Sequence, residues 1–206
     1  MKNRDYKNFS PGEYYHVYNR GNDKRYIFLD DQDLGFFMMR LKQNLFGENY
    51  KGLRSKPLPV GSFSLVSYCL MPNHFHLLIR QNTEIPTTKL MQKLSTSYSI
   101  YFNKKYKRVG HVFQDQYKQV SVGDARYLTW LSAYIHQNPK VAGLVADPEN
   151  YKWSSYKEFT EGINGICNKN IVLDQFNGIG NYLSFVRDTF ETIKKRKEIE
   201  HLLLDT

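Results

Sequence analysis

A chain of 206 residues with 41% hydrophobic and 24% charged side chains has room for one sizeable core and the composition of a soluble globular protein. No apolar run approaches the roughly 20 residues a bilayer span needs, and the polar start Met1–Lys7 has no signal-peptide core. Cys69 and Cys167 form no disulfide framework or zinc knuckle. These features predict a cytoplasmic protein rather than a helix-spanning membrane protein or a disulfide-stapled secreted domain. The net charge is +9, and it is uneven. Of 29 basic and 20 acidic side chains, residues 160–206 hold 6 and 7, which leaves residues 1–159 at +10. Such a field attracts polyanions, nucleic acid first among them.

The alternating stretch Glu13–Gly21 reads as a strand ending at a glycine turn. Asp30 or Asp31 caps a helix to Phe46, with Leu34, Phe37, Met38, Leu41 and Leu45 on one face. Residues 47–61 are a Gly- and Pro-rich connection. Ser62–Met71 and His74–Arg80 form a hairpin around Pro72-Asn73, and Pro86 opens a long helix to Tyr106. A further strand or strand pair lies in Val112–Val122. Asp124 then caps a helix that the Asn138-Pro139 pair ends. Residues 161–180 read as loop, and 181–204 as an amphipathic helix with a basic knot at Lys194–Lys197. The order β-α-β-β-α-β predicts an α+β, ferredoxin-like split β-α-β fold. Its central antiparallel sheet would carry helices on one face, with a C-terminal helical extension. Two units follow: residues 1–160 as the main domain and 161–206 as the extension.

The chemistry concentrates in Met71-Pro72-Asn73-His74-Phe75-His76. On a strand, residues i and i+2 share a face, so His74 and His76 bring two imidazoles together while Phe75 points into the core. Imidazole is the commonest side-chain ligand for a divalent ion. A second constellation sits before Pro139. Tyr134 and Asn138 are one helical turn apart, about 6 Å. The Asn138 carboxamide is a hard oxygen donor suited to Mg²⁺ or Mn²⁺. The Tyr134 phenol can act as an oxygen nucleophile. Tyr127, seven residues earlier on a similar face, is its rival. Two imidazoles, an amide and a tyrosine fit phosphodiester chemistry. Equally, such a tyrosine can serve packing alone, and an Asn before Pro can serve only as a helix stop.

Four blocks in order resemble the REP-associated tyrosine transposases, a branch of the single-tyrosine HUH transposases. They are Tyr15–Asn22, Met71–His76, Gly110–Lys118 and Tyr134–Val145, with Trp153-Ser154-Ser155-Tyr156 following. The resemblance covers residues 13–160. It implies that Tyr134 cleaves single-stranded DNA, leaving a 5′-phosphotyrosine and a free 3′-hydroxyl. His74, His76 and Asn138 would hold a divalent metal, Mg²⁺ or Mn²⁺, although many relatives carry Gln where this chain has Asn138. No nucleotide cofactor is implied, and the chain has no Gly-rich phosphate loop. The implied partners are hairpin and single-stranded DNA and no membrane, with the protein a monomer or a homodimer, cytoplasmic and on the nucleoid when bound. Candidate DNA contacts are Arg20, Lys24, Arg25, Lys104, Lys105, Lys107, Arg108 and Lys118. Two other readings stay open: a hairpin-binding regulator without strand transfer, and a metallohydrolase acting through water.

Overall fold

The structure, a computed structural model, describes residues 10–48 and 55–204, with side chains as far as Arg196. The polar start Met1–Lys7, residues 49–54 of the predicted connection and the side chain of Lys197 in the basic knot lie outside the described residues. Four strands make one antiparallel sheet in the order β2-β3-β1-β4: β1 Tyr14–Arg20, β2 Phe63–Met71, β3 His74–Gln81 and β4 Lys118–Val122. The long helices are α1 Asp31–Phe46, α2 Thr87–Lys105, α3 Ala125–Val141 and α6 Ile179–Leu204. The short helices α4 Tyr156–Thr160 and α5 Asn170–Leu173 lie between α3 and α6. This is the ferredoxin-like strand order and connectivity.

The expectation of helices on one face needs correcting. α1 and α2 cover one face, burying Phe37, Leu41, Leu94 and Tyr98 against Val17, Phe75, Leu77 and Ile79. α3, α4 and α6 cover the other, where Leu131, Ile135, Phe159, Tyr182 and Val186 meet Val66, Cys69 and Leu78. The cause is in β2 and β3, whose near-continuous apolar runs are buried on both sides and so demand two covers. β2, at the sheet margin, is not bare. Leu70 N donates to the Trp153 carbonyl at 2.9 Å, and Asn168 N to that of Leu65 at 2.7 Å. Those short segments blunt an edge that would otherwise invite pairing.

Local signals set most boundaries. Asp30 caps α1 by accepting from Asp33 N, and Asp124 caps α3 by accepting from Tyr127 N. Only Lys118–Val122 of the predicted strand region pairs with β1, and Phe113 adds a single bridge to Gly21. α3 runs on past Pro139 to Val141 rather than stopping at it. The ring falls in the last turn, where few helical bonds remain to be lost. Asn138 therefore sits inside the helix, fully buried.

Candidate active site

β3 places His74 and His76 on the face that looks toward α3, while Phe75 and Leu77 enter the core beneath α1 and α2. The two imidazole centroids are 5.0 Å apart with rings at right angles. Each ring is held through Nδ1. His74 meets Asn73 Oδ1 at 2.6 Å, and His76 meets His16 Nε2 at 2.9 Å. Protein contacts at one ring nitrogen orient the other, which is how metal-binding histidines are commonly set. Burial pushes His16 down to about 4, so it is a neutral hydrogen-bond partner near neutral pH.

α3 brings Tyr134 to the same place. Its ring stands edge-on to His76 at 5.7 Å and to His16 at 6.3 Å. Asn138 lies one turn on, and its Nδ2 donates to the Tyr134 carbonyl at 2.8 Å. Of the two carboxamide atoms, the oxygen is the one that can ligate a hard cation. Among the described residues no group of three His, Cys, Asp or Glu could hold a metal ion. Any metal here would need the amide as well as the imidazoles. Two imidazoles and one buried amide oxygen would suit a divalent cation of the Mg²⁺ or Mn²⁺ kind.

The rival tyrosine is further off: Tyr127 stacks on Trp130 at 6.0 Å, and Trp130 in turn stacks on Tyr134 at 5.4 Å. His136 faces away from the site. It is fully buried, with Nδ1 at 2.6 Å from Tyr182 Oη and Nε2 at 2.8 Å from Ser155 Oγ. Ser155 also accepts from Tyr68 N, so the Trp153–Tyr156 block ties β2 to α3.

The basic candidates divide. Arg20 stands directly opposite His74 on β1, and Lys118 opposite Tyr18, which itself pairs with His76. Both thus belong to the sheet end that carries the site. Lys24 and Arg25 follow in the adjacent turn, where Asn73 Nδ2 donates to the Lys24 carbonyl and Arg25 pairs loosely with Asp23 at 3.7 Å. Lys104 and Lys107 are exposed at the end of α2, and Arg108 lies over the Phe102 ring. Lys105 is engaged internally, its ammonium 2.7 Å from Asp30 and 2.8 Å from the fully buried Asp33. Sequence reasoning missed Trp130 and the Asn73 brace. The His16 contact with His76 has no local sequence signal, because it follows from the β1–β3 register, which sets His16 two residues from the Tyr18–His76 pair.

The sequence model of the family described as IS200-like transposases matches residues 41–138, a span holding His74, His76, Tyr134 and Asn138. Over those residues the chain is similar to the IS200-like transposases. No curated protein matches it. The chain is similar in fold to a REP-associated tyrosine transposase solved bound to a REP hairpin. The TM-score is 0.59 at 13% identity, over 81% of this chain and 89% of that one. A candidate transposase from Deinococcus radiodurans R1 aligns at TM-score 0.39 and 15% identity, over 62% of this chain and 90% of that one. Among the described residues no helix is long and apolar enough to cross a membrane.

Proposed function

We propose that this protein is a transposase that cleaves and rejoins single-stranded DNA beside hairpins, using Tyr134 as nucleophile at a divalent metal held by His74, His76 and Asn138. The observation that carries this reading is the placement of the Tyr134 ring against His76, 5.7 Å between centroids, where the two motifs meet across the sheet face. The hairpin-bound relative of similar fold supports the choice of DNA.

In the cleavage step the Tyr134 phenol oxygen bonds to phosphorus, and the bond from phosphorus to the 3′ oxygen breaks. The phenol proton passes to that oxygen, giving a 5′-phosphotyrosine and a 3′-hydroxyl. Rejoining reverses this: a 3′-hydroxyl attacks phosphorus, and its proton returns to the departing phenol oxygen. The link keeps the phosphodiester bond energy, so no nucleotide cofactor is needed. A bound divalent ion would draw negative charge from the phosphate oxygens. Arg20 suits the same anion, since its Nε is buried with no hydrogen-bond partner among the described residues. His74 and His76, fixed through Nδ1, hold the ligand face steady, and His16 keeps the His76 ring in its plane.

The test is incubation with Mn²⁺ and labelled hairpin oligonucleotides taken from beside the gene, read as an SDS-resistant protein–DNA band. The band should vanish in Tyr134→Phe and in the double variant His74→Ala/His76→Ala. Metal-dependent cleavage that survives Tyr134→Phe without a band would move the reaction to water. Tight hairpin binding with neither cleavage nor band would make the protein a regulator.

A further inference from the structure

We propose that Trp130 is a positioning residue for Tyr134 and that Arg196 of α6 clamps it there, making the C-terminal helix part of the cutting apparatus. The proposal rests on the reading of Tyr134 as nucleophile, and it extends the apparatus beyond residues 41–138, where the family match ends.

Tyr127, Trp130 and Tyr134 follow at i, i+3 and i+7, which sets them on one stripe of α3. Their rings form a continuous stack. Tyr127 and Trp130 are 6.0 Å apart with planes 12° from parallel, and Trp130 and Tyr134 are 5.4 Å apart at 21°. The Arg196 guanidinium lies over the indole at 5.1 Å, within cation–π range. The nucleophile is therefore bounded by an indole on one side and by the edges of His76 and His16 on another. A half-exposed tyrosine without such walls moves among its staggered rotamers. In-line attack needs the reacting atoms about 3–3.5 Å apart and aligned. A wall that removes the wrong rotamers raises the fraction of time the phenol oxygen is in place.

The stack lies at the margin of the core, against which its three rings pack. Trp130 is only half-buried, and the fully buried stripe of α3 is a different one, Leu128, Leu131 and Ile135. Arg196 is exposed, while α6 is anchored earlier by Tyr182 and Val186, which bond or pack with Ser132, His136 and Gln137. A cation held on the middle ring of a stack that ends at a nucleophile is an arrangement suited to orientation.

The experiment uses the full chain labelled with 3-fluorotyrosine, the Tyr134 resonance being assigned by its loss in Tyr134→Phe. Trp130→Ala, Trp130→Phe, Arg196→Ala and Arg196→Lys are compared for that resonance, for adduct rate at saturating hairpin DNA, and for DNA affinity. Trp130→Ala should slow adduct formation about tenfold or more, with affinity held within about twofold, and Trp130→Phe should restore most of the rate. The Tyr134 resonance should shift in Trp130→Ala and in Arg196→Ala, with Arg196→Lys intermediate. An unmoved resonance with an unchanged rate overturns the proposal. So does a loss of affinity that accounts for the whole loss of rate, which would make Trp130 a base contact. If the unaltered chain forms no adduct, the nucleophile reading fails by itself, and the resonance alone decides whether the stack positions the ring.

Discussion

One imidazole sets another where His16 Nε2 meets His76 Nδ1 at 2.9 Å. If His76 is a ligand, His16→Ala should weaken Mn²⁺ binding by about 10–100-fold while leaving the fold intact. Titration calorimetry on the unliganded chain checks this, and unaltered affinity would remove His76 from the ligand set. The lysines differ just as sharply. Lys118 faces solvent on the sheet end that carries the site, whereas Lys105 satisfies the buried carboxylate of Asp33. Lys118→Ala should lower single-strand affinity and flatten its logarithmic salt dependence by about 0.7, the share of one phosphate contact. Lys105→Ala should instead lower the urea midpoint and leave the salt slope alone, because it strips a charge partner from a buried acid. The two-residue strand period groups His74 with His76 and the four-residue helix period groups Tyr134 with Asn138, while it was the family resemblance that singled the four out as a candidate site. Neither His16's partner nor Lys105's could be read that way, since each depends on a register or a helix packing between distant segments.

At the scale of elements, β1 ends where no side chain fits. A Cβ at Gly21 would come within 2.1 Å of the Arg25 carbonyl oxygen and 2.8 Å of Ile27. Gly21→Ala should cost about 2 kcal/mol in urea unfolding, the backbone having to shift at the turn that precedes the basic residues. α3 carries a different liability. Burial lowers His136 to about 3, against about 6.5 in an unfolded chain. Between those values the unfolded state binds the extra proton, so this residue's contribution is complete above pH 6.5 and is lost as pH falls toward 3. Its share of the slope reaches about 1.4 kcal/mol per pH unit. Urea midpoints from pH 4 to 7 should show a flatter dependence in His136→Gln. The capping residues Asp30 and Asp124 revealed both helix starts. The end of α3 was misjudged because a proline in a last turn is tolerated, a matter of position within a helix whose length was not yet known.

Over the whole molecule, the apolar runs of β2 and β3 needed two covers, and the second came from α3 together with residues after 150. The pattern of those runs held that information. The partner did not show itself, because α6 reaches α3 through individual bonds that no periodicity announces. Those bonds bear on how strands could be exchanged. Behind the tyrosine, α3 is pinned by Ser132 and His136 to Tyr182, by Gln137 to the Val186 carbonyl, and by His136 to Ser155. Swinging the helix outward would break several buried hydrogen bonds at once, each leaving polar atoms stranded in an apolar layer. If Tyr134 is the nucleophile proposed above, it is an anvil and not a shuttle. Traffic at the site would then fall to the DNA, the cut end staying tethered while the incoming end travels to it. Spin labels on exposed positions of α3 and α6 should report one unchanged distance before and after an adduct forms, and a second distance on DNA loading would mean that the helix moves after all.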